Sequence, residues 1–235
     1  MEKIKILVVD DESRMRKLVR DFLVKQDFEV LEAGDGEEAL DIFYEVKDIS
    51  LIILDVMMPK MDGIRATARM REEGNIPIIL LTAKGEDSDK VLGLNIGADD
   101  YITKPFNPIE VLARVKSQLR RYTTLGGKQS GDEQGVLRNG ALVLDDAAKM
   151  VRVDGEVINL TPIEYNILHL LMKNPGRVYS TAQIYQLVWN DPVLGSENTV
   201  AVHIRHLREK IEIDPANPHY LKVVWGLGYK MEKMV

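Results

Sequence analysis

Five short apolar runs recur through the first half of the chain, and their spacing constrains the fold more than any other feature. They are Ile4 to Val9, Phe28 to Leu31, Leu51 to Leu54, Pro77 to Leu81 and Asp100 to Thr103. Each has the length of a strand, and amphipathic stretches separate them. Leu18, Val19, Phe22 and Leu23 share one face of the first such stretch, and Val111, Leu112, Val115 and Leu119 one face of the last. Asp35 followed by Glu38, and Asn107 followed by Pro108 and Glu110, are helix-start arrangements. Repeated strand-helix units predict an α/β fold, a doubly wound five-stranded parallel sheet with helices on both faces.

The rhythm stops near Arg121. Residues 122–135 carry four glycines and no periodicity, which predicts a flexible linker with ends roughly 20 Å apart. Domains are expected at 1–121 and 136–235. In the second, three alternating runs (Ala141 to Leu144, Met150 to Val153, Val157 to Leu160) precede three helical patterns, and Asp154-Gly155 is a hairpin-turn pair. Thr161, Pro162 and Glu164 mark the first helix start, Ser180 with Gln183 the second, and the third runs from about Glu197 to Glu212. "YLKVVWGLGYKM" then predicts a terminal hairpin. Small sheet, three helices and hairpin form the pattern of an α+β winged helix-turn-helix, whose third helix enters the DNA major groove.

A chain of 235 residues with 45% hydrophobic and 29% charged residues supports two modest cores. Cysteine is absent, which excludes disulfides and thiolate zinc sites. No apolar run approaches the roughly 20 residues of a membrane helix, so no membrane role and a cytoplasmic location are expected. Residues 1–120 hold 18 Lys+Arg against 24 Asp+Glu, which accounts for the whole net charge of −6. That imbalance argues against the first half as a nucleic-acid surface.

The strand ends carry the chemistry. The first run ends in Asp10-Asp11, the third in Asp55, the fourth in Thr82 and the fifth in Lys104. In a doubly wound sheet these ends line the ligand crevice, so the side chains should converge. Crowded carboxylates without imidazole or thiolate suit Mg²⁺, and Lys104 suits an incoming anion. A carboxylate so placed can accept a phosphoryl group. Singly, each residue reads as a turn, a cap or a solvated charge; their joint placement favours a site.

"VVDDE", "LDVMMPKMDG", "LLTAKG" and "GADDYITKPFNPIE" resemble the flavodoxin-like receiver domain of a two-component response regulator, and the second half resembles the DNA-binding domain of the OmpR/PhoB class. The resemblance covers the chain apart from the linker. It implies that Asp55 is the phosphoacceptor and that Asp10, Asp11, Asp55 and the backbone carbonyl of Met57 hold Mg²⁺. Lys104 would contact the phosphoryl group and precede Pro105 through a cis bond, and Thr82 with Tyr101 would form the switch pair. Phosphorylated receivers would pair through the helix before the fifth strand, that strand and the helix after it. Cross-subunit ion pairs would join Lys90 with Glu110 and Asp100 with Arg114, around Val91, Leu94 and Ala113. Implied partners are a sensor histidine kinase, double-stranded promoter DNA, RNA polymerase and a second copy of the chain.

In the third helix of the second half, Val200, Ile204, Leu207 and Ile211 follow helical spacing and predict its buried face. Asn198, Thr199, His203, Arg205, His206, Arg208 and Lys210 are then expected to face DNA. His203 and His206 stand three apart, as a metal pair can, but no further ligand is evident beside them, and DNA-facing roles are favoured. Many family members carry Arg at the positions of Asn198, His206 and Trp225. Two rival readings compete. A phosphatase forming an aspartyl phosphate would need a second acid where Met57 stands, so an enzyme is disfavoured. A phosphorylation-independent DNA-binding regulator with the receiver as dimerisation module is disfavoured by the complete set of acids, Thr82 and Lys104.

Overall fold

The computed structural model describes residues 3–83, 93–126, 135–189 and 197–234, without the side chains of 120–126 and 197–198. The chain divides into two compact units, residues 1–122 and 123–235. Among the described residues no helix is long and apolar enough to cross a membrane.

The first unit contains strands β1 (Lys5–Val9), β2 (Glu29–Ala33), β3 (Ile49–Asp55), β4 (Ile78–Ala83) and β5 (Asp100–Lys104). They form one parallel sheet in the order β2-β1-β3-β4-β5. Its helices are α1 (Ser13–Val24), α2 (Gly36–Glu45), α3 (Gly63–Glu73) and α4 (Pro108–Gly126). Side chains alternate across the sheet. Leu7, Val9, Ile52, Leu54, Ile78 and Leu80 pack with Leu40 and Phe43 of α2 and Met70 of α3. Ile6, Val8, Leu51, Ile53, Ile79 and Leu81 pack with Val19 and Leu23 of α1 and Val115 of α4. Both faces being covered explains why the strand runs are apolar throughout. Asp35 caps α2 as its sequence context predicts, accepting the Glu37 and Glu38 N–H groups at 3.0 Å each.

One boundary differs from expectation. The backbone is helical to Gly126, so α4 takes in the first residues of the predicted linker, and 127–134 lie outside the described residues. The reason is local: the first strong helix breaker after Pro108 is the Gly126-Gly127 pair.

The second unit opens with β6 (Val136–Asn139), β7 (Leu142–Asp145), β8 (Met150–Val153) and β9 (Glu156–Ile158), an antiparallel sheet in chain order. Helices α5 (Pro162–Met172), α6 (Thr181–Trp189) and α7 (Glu197–Ile211) follow, and β10 (Leu221–Val224) with β11 (Gly228–Met231) form the terminal hairpin. Asp154 (φ 51°) and Gly155 (φ 87°) make the two-residue turn between β8 and β9. Thr161 and Glu164 complete a reciprocal capping box at the start of α5. Leu142, Ile167, Leu171, Trp189, Ile204 and Leu207 belong to a single core. β6 is the strand that the sequence pattern does not reveal, because Arg138 and Asn139 break its alternation. Asn139 is nonetheless buried, donating to the Glu232 carbonyl and accepting from the Met234 N–H.

Candidate functional site

The strand order reverses at β1 and β3, and the polar strand ends meet there. Asp10, Asp11 and Asp55 place one carboxylate oxygen each within 4.8 Å of the others. Lys104, at the end of β5, reaches across: its Nζ lies 2.7 Å from Asp10 Oδ2 and 2.8 Å from Asp55 Oδ2. Asp10 and Asp55 are buried, whereas Asp11 faces solvent. The remaining Asp10 oxygen accepts the Glu12 N–H at 2.8 Å. Three carboxylates this close together could hold a hard divalent cation, for which an all-oxygen set is suited.

Burial is the largest influence on Asp55 and pushes its pKa above the ordinary carboxylate range. Lys104 and the Met57 backbone N–H oppose that rise, and Asp10 adds to it. Burial also weighs most on Lys104, where it lowers the pKa, but the two carboxylates outweigh it and leave the ammonium more firmly protonated. The pocket therefore keeps a cation among its acids, which is what an anionic substrate would require.

The loop after Asp55 is held from both sides. Gly63 opens α3 with its N–H on the Val56 carbonyl at 3.0 Å, and Asp62 caps the helix by accepting the Arg65 N–H at 2.8 Å. Lys60, in the left-handed region (φ 60°), pairs with Asp35 at 2.6 Å. The sequence pattern shows neither the Lys60–Asp35 link nor how tightly Gly63 sits against the backbone of Asp55 and Val56. A left-handed lysine and a glycine after a capping Asp leave only the weak signal of the "PKMDG" turn.

The Lys104-Pro105 peptide bond is cis. Thr82 is fully buried in β4, and its hydroxyl has no hydrogen-bond partner among the described residues. Tyr101 on β5 is partly buried against the sheet. Lys90 and Val91 lie outside the described residues. Leu94, expected in an apolar interface, is instead interior at 2% exposure, because the segment from Gly93 lies directly on Leu80 of β4. Ala113 and Glu110 are exposed, as a surface requires. Asp100 and Arg114 pair within the chain, at 3.1 and 3.0 Å, with both side chains largely buried. Expectation had set this pair across two subunits.

Much of the predicted DNA face of α7 is buried. Val200, Ile204, Leu207 and Ile211 are buried as expected, but so are Thr199, His203 and His206. The cause is that α7 packs against both α5 and α6, so its buried face is wider than its apolar stripe. His203 lies against Trp189, with ring centroids 5.6 Å apart. His206 Nδ1 is 3.7 Å from Glu164 Oε1, and burial, its largest influence, lowers the pKa of His206. Arg208 donates to the Leu221 carbonyl at 3.0 and 2.7 Å, and Lys210 reaches Glu164 at 2.6 Å. Arg205 is exposed, and its ion pair with Glu209 spans 3.1 Å. The Asn198 side chain lies outside the described residues. Trp225, between β10 and β11, is 89% exposed.

Residues 6–116 match the response regulator receiver domain, and residues 155–231 match the C-terminal domain of transcriptional regulatory proteins. The regulatory protein VanR of Enterococcus faecium is 42% identical over 230 residues, covering 97% of this chain and 99% of VanR. The transcriptional regulatory protein SrrA of Staphylococcus aureus (strain NCTC 8325) is 42% identical over 229 residues, covering 97% of this chain and 95% of SrrA. Among solved structures, the Thermotoga maritima response regulator DrrB, an OmpR/PhoB homolog, is 34% identical over 98% of this chain and 100% of its own, with a TM-score of 0.51. A point mutant of RitR gives a TM-score of 0.74 at 25% identity, over 98% of this chain and 99% of its own. A receiver followed by a winged DNA-binding domain defines a transcription regulator controlled by phosphorylation. The chain belongs to the OmpR/PhoB family of two-component response regulators. Its two domains imply a kinase and DNA as partners.

Proposed function

We propose that Asp55 is the residue phosphorylated in this regulator, with Asp10, Asp11 and the Met57 backbone carbonyl holding Mg²⁺ beside it. The observation that carries the reading is the cluster of three carboxylates with Lys104 bridging Asp10 and Asp55. An Asp55 oxygen attacks the phosphorus of a phosphohistidine on the sensor kinase. The phosphorus–nitrogen bond breaks, the imidazole leaves, and an acyl phosphate forms. Mg²⁺, when bound, supplies positive charge against the phosphoryl oxygens. Lys104 exchanges its contact with Asp55 for one with the phosphoryl group, the Thr82 hydroxyl donates to a phosphoryl oxygen, and Tyr101 follows inward. Phosphoryl transfer here sets a switch and releases no metabolite.

The readout is dimerisation through the receiver face that carries Ala113 and Glu110, with Lys90 and Val91 on the preceding segment. Two DNA-binding domains then occupy half-sites about one helical turn apart in promoter DNA and act on RNA polymerase in the cytoplasm. Among the described side chains expected to face DNA on α7, Arg205 is the exposed one, free of packing contacts that would keep it from a base edge or a phosphate.

Incubation with acetyl phosphate and Mg²⁺ should add one phosphoryl group to the wild-type chain and none to Asp55→Asn, read by intact mass. Equal labelling of the two would sink the assignment.

A further inference from the structure

One cluster in the second unit is unused by the proposed regulation and is built from metal-ligating groups. Glu164 on α5 and His203 and His206 on α7 bring one ligand atom each to within 4.8 Å of the others. Their exposures are 1%, 1% and 7%. We propose that Glu164, His203 and His206 form a binding site for a divalent transition metal of the zinc class, tying α7 to α5.

The backbone supplies the first part of the argument. Residues three apart on a helix share a face, so His203 and His206 present their rings together, with centroids 6.3 Å apart and planes at 86°. Glu164 stands in the first turn of α5, where the capping box fixes it. In a tetrahedral site with bonds of about 2.1 Å, neighbouring donor atoms stand about 3.4 Å apart. His206 Nδ1 and Glu164 Oε1 are already 3.7 Å apart.

The groups around the carboxylate supply the second part. Its Oε2 accepts the Thr161 N–H at 2.9 Å and the Lys210 ammonium at 2.6 Å, which leaves Oε1 turned toward His206. Outer partners of this kind orient a ligating carboxylate and leave one oxygen for the metal. Two imidazoles with one carboxylate are a known zinc donor set that keeps an open coordination position. Imidazole selects zinc, copper and nickel over magnesium, so the site is distinct in preference from the all-carboxylate pocket at Asp55. Lys210 places a like charge nearby, and the affinity is expected to fall below that of a closed structural zinc site. The half-buried Lys210 and the edge of His206 mark the approach from solvent.

The site does not depend on phosphorylation of Asp55. Its consequence is mechanical: a metal bound only in the folded domain stabilises the seating of α7 by mass action.

The test uses the full chain carrying Asp55→Asn, in excess Mg²⁺, so that the receiver pocket contributes equally throughout. Titration with Co²⁺ should develop visible d–d absorption that saturates at one equivalent and is displaced by Zn²⁺. Zn²⁺ should also raise the thermal midpoint of the second unit. Adding His206→Gln should weaken Co²⁺ uptake at least roughly tenfold and abolish the Zn²⁺ shift, with an unchanged circular dichroism spectrum. Adding His206→Cys instead should restore binding and introduce a sulfur-to-cobalt charge-transfer band, a signature that a purely packing role for His206 would not produce. No cobalt absorption in the folded parent, or equal titrations of the parent and His206→Gln, would overturn the proposal and leave Glu164 and His206 as a buried polar contact.

Discussion

Gly63 begins α3 directly against the backbone of Asp55, so closely that a Cβ on residue 63 would overlap the Asp55 carbonyl oxygen. Its conformation is not the constraint; the space is. The obstructing atom is backbone in a buried strand and cannot swing aside. Gly63→Ala is expected to destabilise the first unit by about 1–3 kcal/mol, through overpacking. Urea denaturation followed by circular dichroism reads this, and labelling of Asp55 by acetyl phosphate should slow in parallel. An unchanged midpoint would mean that α3 can step back from the sheet.

Lys104 opposes the upward pull of burial on the Asp55 pKa. Lys104→Met removes that opposition, so the Asp55 pKa should rise further and its carboxylate should form at higher pH than in wild type. The labelling rate of the variant is expected to climb with pH across a range where wild type has levelled. At pH 7 it should be at least about tenfold slower, since a positioned cation is lost from the reacting group. Superimposable pH profiles would show that Lys104 does not set the charge state of Asp55.

Arg205 and Arg208 stand one turn apart on α7 and should respond differently to alanine. Arg208 holds the Leu221 carbonyl, so Arg208→Ala is expected to lower the melting temperature of the second unit. Arg205→Ala should leave the melt unchanged while weakening binding to a selected operator. If its contact is to phosphate, the salt dependence of binding should fall by about one unit of slope. Fluorescence anisotropy beside a thermal melt separates the two, and the reverse pattern would mean that the exposed side of α7 has been misassigned.

The receiver pocket was legible because topology alone fixes it. In a parallel sheet every strand ends at the same edge, so Asp10, Asp55 and Lys104, each at the end of a strand, come within contact of one another. The face of α7 was less legible because polarity predicts solvent exposure only for helices packed on one side. Here α5 and α6 both cover α7, and His203 and His206 are buried against Trp189 and Glu164, partners far away in sequence. Leu94 illustrates the converse ambiguity: an apolar residue in a core and one in an interface look alike until the fold shows which it is. β6 escaped notice because the polar Asn139 that ends it is matched by Glu232 and Met234 at the far end of the unit.

The two tryptophans of the chain occupy opposite environments. Trp189 is 1% exposed and stacks on Tyr185 at 4.8 Å, while Trp225 stands 89% exposed between β10 and β11. The second unit thus carries two unlabelled optical reporters with separate meanings. Iodide in solution can collide with the indole of Trp225 and not with that of Trp189. Quenchable emission therefore registers whatever covers the hairpin, and the unquenched remainder registers the integrity of the core, both from one cuvette and one native chain.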